Sequence, residues 1–193
     1  MRVVVRRLLA VVCVVVATCS LSAGAATTRP HSRLLALIQL PRHFQVVSLS
    51  STDTSGCPES SFRARPGEAT VRIAFANYQS PDALIVEKIA TSARPTAAFA
   101  AAVAVAASCR TTSHSVGGYA ASQTVTPLNL GAFPARTRAF RVLVNTGTVF
   151  VDGFLLYAVS ANRVLTVAEA SSGALSQRGF RVLAQRALSR MAK

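Results

Sequence analysis

The eleven residues from Val149 to Val159, VFVDGFLLYAV, are apolar on both faces of any strand they form, with Asp152 the one charged exception. A strand with one face in water alternates apolar and polar residues, so a run without alternation belongs inside a sheet that is covered on both sides. That places it at a sheet centre with a helix over at least one face. Turn-formers flank it, Asn145-Thr146-Gly147 before and Ser160-Ala161-Asn162 after. Turns this short join antiparallel neighbours, so the candidate strands Arg138–Asn145, Thr148–Val159 and Arg163–Ala168 lie side by side.

The rest of the chain fits around that centre. Thr70–Asn77 alternates Val71, Ile73 and Phe75 with Thr70, Arg72 and Ala74, as a half-buried strand does. Ala83 to Ala90 is a second strand, with Glu87 and Lys88 expected where it meets water. Gln45–Leu49 and Tyr119–Thr126 are further strand candidates, and Ser50–Gly67 is rich enough in Ser, Pro and Gly to be loop. Three helices are predicted. The first is brief, Leu34–Gln39, capped by Ser32 and stopped by Pro41. The second, Thr96–Ser108, is opened by Arg94-Pro95 and can put Phe99, Val103 and Ala106 on one face. The last follows Gly173 and carries a stripe of Phe180, Leu183, Ala184, Ala187, Leu188 and Met191, with Arg178, Arg181, Arg186 and Arg190 largely outside it. The expected class is α+β, an antiparallel β-sheet flanked by helices, with no internal repeat.

The N-terminus has the order of a secretory signal: Arg2, Arg6 and Arg7, then the apolar Leu8–Ala17, then small residues allowing cleavage after Ala25. Thr18, Ser20, Ser22 and Gly24 interrupt it as a membrane span, which needs about 20 apolar residues. Val16-Ala17-Thr18-Cys19 approximates a lipoprotein box, so acylation at Cys19 is the alternative route. The expected organisation is a signal peptide over 1–25, a short polar lead-in over 26–33 and one α+β domain over 34–193, exported to the cell envelope or secreted.

Removing 1–25 takes Cys13 and Cys19 with it and leaves Cys57 and Cys109. In an oxidising compartment such a pair is expected to form one disulfide, which would constrain the unfolded chain by about 4 kcal/mol. No metal site is expected, because His31, His43 and His114 show no ligand spacing around these cysteines. No cofactor motif is present either: there is no phosphate-cradling glycine loop, no G-x-S-x-G elbow and no H-E-x-x-H helix. The seven acids offer no local pair for glycosidase-type work. Asp152 is expected to partner an arginine or to mark a bulge at Asp152-Gly153. A catalytic trio through His114 and a distant Asp is the remaining enzymatic reading.

The mature chain keeps 18 basic residues against seven acids, a net charge of +11, and arginine supplies nearly all of it. Arg136, Arg138 and Arg141 crowd into one strand and are the candidate anion contacts. Such a field attracts polyanions. Export argues against nucleic acid, so anionic lipid headgroups, other envelope polymers and a merely soluble basic surface are the readings that stand.

The opening Leu34-Leu35-Ala36-Leu37 to Pro41, the alanine-rich helix with Phe99 ending at Cys109, the late strand Val149–Val159, and Asn162-Arg163-Val164-Leu165 before an amphipathic last helix form a recognisable order. In this the chain resembles the extracellular sensor-like domains of actinobacteria, a family that includes the outer domain of some mycobacterial receptor Ser/Thr kinases and stand-alone exported or lipoprotein versions. The resemblance spans roughly Arg33 to Lys193 and lies in pattern rather than in a diagnostic motif. The kinase form is associated with two disulfides and a Trp before the helix cysteine, where this chain has one cysteine pair and no Trp. The resemblance implies a helix-flanked antiparallel sheet with a ligand-binding cleft and no catalysis. The expected function is therefore a non-enzymatic ligand-binding or sensor-like domain, its cleft walled by Val149–Val159 and the last helix and rimmed by Arg138 and Arg141. Its ligand would be a small molecule, a lipid or an anionic envelope polymer, with peripheral membrane contact as a further expectation. The alternatives are an interaction or structural module without a pocket, and an envelope hydrolase working through His114 and Asp152.

Overall fold

The computed structural model describes residues 33–48, 68–116, 119–147 and 149–192. The predicted leader, the Ser32 cap, the Ser50–Gly67 loop, Cys57 and the end of the first strand at Leu49 lie outside the described residues. Eight strands form one antiparallel sheet: β1 (Gln45–Val47), β2 (Ala69–Asn77), β3 (Ala83–Thr91), β4 (Thr111–Val116), β5 (Tyr119–Leu128), β6 (Arg136–Asn145), β7 (Phe150–Ser160) and β8 (Arg163–Ser171). Their order is β1-β2-β3-β8-β7-β6-β5-β4. The chain thus lays down three strands, crosses to the far edge through helix α1 (Pro95–Ser108), and meanders back until β8 seats beside β3. Helix α2 (Gln177–Met191) follows.

The apolar run recognised in the sequence is β7, which with β8 sits in the middle of the sheet. Strand alternation sends its side chains to two separate cores. Leu155 and Tyr157 join Val86, Val142 and Val144 beneath Phe99, Ala102 and Ala106 of α1. Phe154, Leu156 and Ala158 join Phe75, Ile85, Leu165 and Val167 beneath Phe180, Leu183, Ala184 and Leu188 of α2. The two helices therefore cover opposite faces. The buried residues of α2 are the six of the predicted stripe. In α1 the buried set is Phe99, Ala102 and Ala106, with Val103 only partly buried.

Both predicted hairpins are present. Asn145 Oδ1 accepts from the Gly147 amide at 2.7 Å, and Gly147 adopts φ 80°, the left-handed region that glycine enters without strain. Ser160 pairs with Arg163 across a two-residue turn in which Ala161 takes φ 50°. β7 runs through Asp152-Gly153 in regular register, so no bulge forms there. Asp152 instead takes the other expected role: Arg141 Nε and Nη2 donate to its two oxygens at 2.9 and 3.1 Å, and the Leu175 amide donates at 3.3 Å. One carboxylate thereby joins β6, β7 and the segment leading into α2.

Three expectations need correction. The brief first helix is only a 3-10 turn over Leu37–Gln39, because Leu34 and Leu35 are buried in the α2-side core and hold the chain before it irregular. β4 was not foreseen as a strand of its own, since Thr111–Val116 is hydroxyl-rich and becomes a strand by pairing with β5 at the sheet edge. Glu87 and Lys88 do not meet water; they are 0 % and 5 % exposed. β3 lies between β2 and β8, and both of its faces are covered, so neither alternation phase leads to solvent.

The Arg141–Asp152 contact gives a stability test. Asp152 is 3 % exposed, so Arg141→Ala leaves a buried carboxylate short of its counter-charge and should cost about 1–3 kcal/mol in urea unfolding. In an Asp152→Asn background the same substitution should cost less than half as much, since no charge is stranded.

Candidate functional site

β6 carries the three arginines singled out as anion contacts, and its alternation divides them. Arg136 and Arg138 share the phase of Phe140 and Val142, which face α1, while Arg141 has the phase of Ala139, which faces α2. All three are exposed. The Arg136 guanidinium lies 5.3 Å from the Phe99 ring centre, a cation–π contact to the covering helix. Arg141 is held by Asp152. They do not converge on one point. The cleft expected between β7 and the last helix is filled: the Phe154 and Phe180 ring centres are 5.4 Å apart, and the apolar stripe of α2 packs directly onto β7 and β8.

Other arginines are drawn to backbone carbonyls, a natural outcome where acids are few. Arg181 donates to the Leu130 and Ala132 carbonyls, the latter at 3.2 Å, and its guanidinium stands 5.5 Å from the Phe133 ring centre. Gly131 makes this approach possible: it adopts φ 78°, and a Cβ there would lie 2.3 Å from Arg181 Nη1. Arg186 donates to the Gln39 carbonyl and Arg163 to the Met191 carbonyl. The Gly131 loop and the first turn of α2 border a shallow groove of about 510 Å³, lined by Asn129, Leu130, Gly131, Gln177, Arg178 and Arg181.

His114 and Asp152 are not brought together. His114 lies on β4 and Asp152 on β7, three strand spacings apart in the sheet, which is about 14 Å laterally. Asp152 is in addition engaged by Arg141 and the Leu175 amide. Among the described residues no group of three or more His, Cys, Asp or Glu side chains could hold a metal ion.

Burial raises two carboxylates, Glu87 and Glu169, whose surroundings were not foreseen. With Asp152 they step diagonally across β3, β8 and β7 on the side covered by α2, each two residues in register from the next. Glu87 Oε2 accepts from the Leu35 amide at 2.6 Å, tying the first described segment to the sheet across 52 residues of chain. Its Oε1 is buried without a hydrogen-bond partner among the described residues. Burial pushes Glu87 up to about 7, against the opposing pull of the Leu35 N–H and of the Arg190 charge, and burial also pushes the half-buried Glu169 up to about 7. The one sequence signal for Glu87 was its place among Ile85, Val86, Ile89 and Ala90.

These shifts set a sign. The folded protein retains protons on Glu87 and Glu169 between about pH 4.5 and 7, where the unfolded chain has released them, so stability falls as pH rises through that window. The urea midpoint should be higher at pH 5.5 than at pH 7.5, and Glu87→Gln with Glu169→Gln should shrink the difference.

No protein-family model and no curated protein matches the sequence. Among solved structures, the extracellular domain of PknH from Mycobacterium tuberculosis is similar with a TM-score of 0.52 and 12% identity, covering 67% of this chain and 68% of that one. An Rv0999 ortholog from Mycobacterium smegmatis is similar with a TM-score of 0.47 and 14% identity, over 81% of this chain and 93% of that one. The likeness to the PknH domain is one of fold: an antiparallel sheet carrying helices, of the kind found in a mycobacterial extracellular domain.

Proposed function

We propose that this chain is an exported, non-catalytic binding or sensor-like module of the cell envelope that takes an anionic component. The observation that carries the reading is the fold, an arrangement it has in common with the extracellular domain of PknH. Three further features agree with it. The N-terminus has the order of a secretory signal, the charge is strongly positive, and the one catalytic pair suggested by sequence lies dispersed across the sheet. With the β7–α2 cleft filled, the ligand site moves to the surface. The groove beside Gly131 and Arg178 is the best candidate there, because an exposed guanidinium at its rim can meet an anion while Leu130 offers an apolar floor. A bridge between Cys57 and Cys109 belongs to the same reading. Cys109 is fully buried at the C-terminal cap of α1.

Native mass spectrometry of the protein recovered from an actinobacterial host tests the ligand. A non-covalent adduct that is lost on denaturation, and weakened by Arg178→Gln, is expected. A bare mass under gentle conditions counts against a tightly held ligand and favours a pocketless interaction module. Added mass that survives denaturation would instead mark acylation at Cys19. The bridge has its own test: the denatured, unreduced exported protein should take up no alkylating reagent until reductant is added.

A further inference from the structure

A single exposed aliphatic side chain is ordinary on a protein surface, whereas adjoining ones mark a contact site, and Ile38 is 93 % exposed. It stands at the tip of the 3-10 turn Leu37–Gln39, beside Leu37 at 45 %. The turn is held firmly. The Ala36 amide donates to Gln39 Oε1 at 2.9 Å, the Gln39 amide to the Ala36 carbonyl at 2.8 Å, and the buried Leu34 and Leu35 anchor its base. Arg186 of α2 donates to the Gln39 carbonyl, which fixes the turn against the outer side of that helix.

That outer side continues the pattern. Arg178, Val182 and Arg186 are spaced by four, so they form one stripe, with Val182 40 % exposed between two guanidinium groups. Val182 and Arg186 share a groove with Gln39. The segments that build this face, residues 33–48 and 170–192, contain no Asp or Glu, while they contain six arginines. Glu87 lies beneath the surface, fully buried, and Glu169 is half-buried under α2. The surface is thus an aliphatic tip set in a basic ground with no exposed carboxylate within its own segments.

We infer that the turn Leu37–Gln39 and the outer stripe of α2 dock on an anionic lipid bilayer, Ile38 and Leu37 entering the acyl boundary while Arg178 and Arg186 meet the headgroups. The chemistry is that of an interfacial anchor, in which apolar insertion and attraction to anionic lipid add together. A turn that is already ordered loses little conformational freedom on docking. Phosphate-bearing headgroups match the guanidinium stripe better than a protein face would, because the apolar part is a projecting tip rather than a flat patch. This docking goes beyond the ligand reading above: bilayer capture and a bound adduct are separate readouts, and either can fail alone.

The test is flotation of the exported chain carrying Cys19→Ser, so that no acyl chain contributes, with vesicles of equal phosphatidylglycerol and phosphatidylcholine or of phosphatidylcholine alone. The parent should float with the anionic vesicles and bind the neutral ones at least tenfold more weakly. Ile38→Asp should weaken anionic-vesicle binding about tenfold or more with its melting temperature unchanged, and Arg178→Gln several-fold. Phe150→Ser, a change at an exposed apolar residue of β7, should bind as the parent does. Absence of flotation, or Ile38→Asp floating as the parent, would overturn the inference. So would a concentration-dependent dimer abolished by Ile38→Asp without vesicle binding, which would assign the face to a second copy.

Discussion

The architecture depends on hiding β7 and β8 from both sides. Their side chains alternate into two cores, and each core needs its own helix, so the sheet cannot be completed by α1 or α2 alone. This accounts for the division of labour between the helices. α1 is alanine-rich and lies close to a face already crowded by Tyr157 and Phe140, whose ring centres are 6.1 Å apart in an edge-on arrangement. α2 brings the bulkier Phe180, Leu183, Leu188 and Met191 to the face where Phe154 and Ile85 leave room. The two cores contribute stability on the scale of many fully buried apolar side chains, each worth about 1.5–3 kcal/mol before chain entropy is counted.

Where the sequence pattern had a single cause, it could be read. The run Val149–Val159 identified the sheet centre because only burial on both faces tolerates such a stretch, and the α2 stripe identified its inward face because a single helix has one such face. The hairpins were legible from Asn145-Thr146-Gly147 and Ser160-Ala161-Asn162, local signals with local effects. What failed depended on neighbours far away in sequence. Glu87 looks like a solvent residue until β2, β8 and Leu35 surround it, and β4 looks like loop until β5 offers it an edge. The candidate site suffered most. Clustering of Arg136, Arg138 and Arg141 along the chain did not survive strand alternation, which sends neighbouring residues to opposite faces. The Ile38 tip could not be seen in advance, since Leu34, Leu35, Leu37 and Ile38 form one apolar cluster in sequence and only the fold separates the buried pair from the exposed one.

The scarcity of acids shapes the molecule as much as the abundance of arginine does. With seven carboxylates in the whole chain, three of them set under α2, guanidinium groups turn to carbonyl oxygens and ring faces instead. Arg163, Arg181 and Arg186 each fasten a loop or helix end in this way, and Arg136 lies against Phe99. Net charge therefore overstates the basic surface available to a partner. The guanidinium groups that stay exposed, those of Arg138 and Arg178 and the donors of Arg186 left over from its one bond to Gln39, are the ones on which recognition of an anion can be built.

The pairing of β3 with β8 joins residues about 80 positions apart, and among the described residues it is the one long-range ladder that unites the early strands with the late meander. A nascent chain cannot form it until β8 has been synthesised. Until then β3 has β2 but no second neighbour, and the early half lacks both a closed sheet and the α2-side cover. Contacts that span so much chain form slowly, because the entropy of bringing the ends together must be met before the ladder returns anything. Under the export proposed above this delay would be useful: the polypeptide would stay loose while it threads through a translocation channel, and its topology would defer completion of the sheet until β8 has reached the far side.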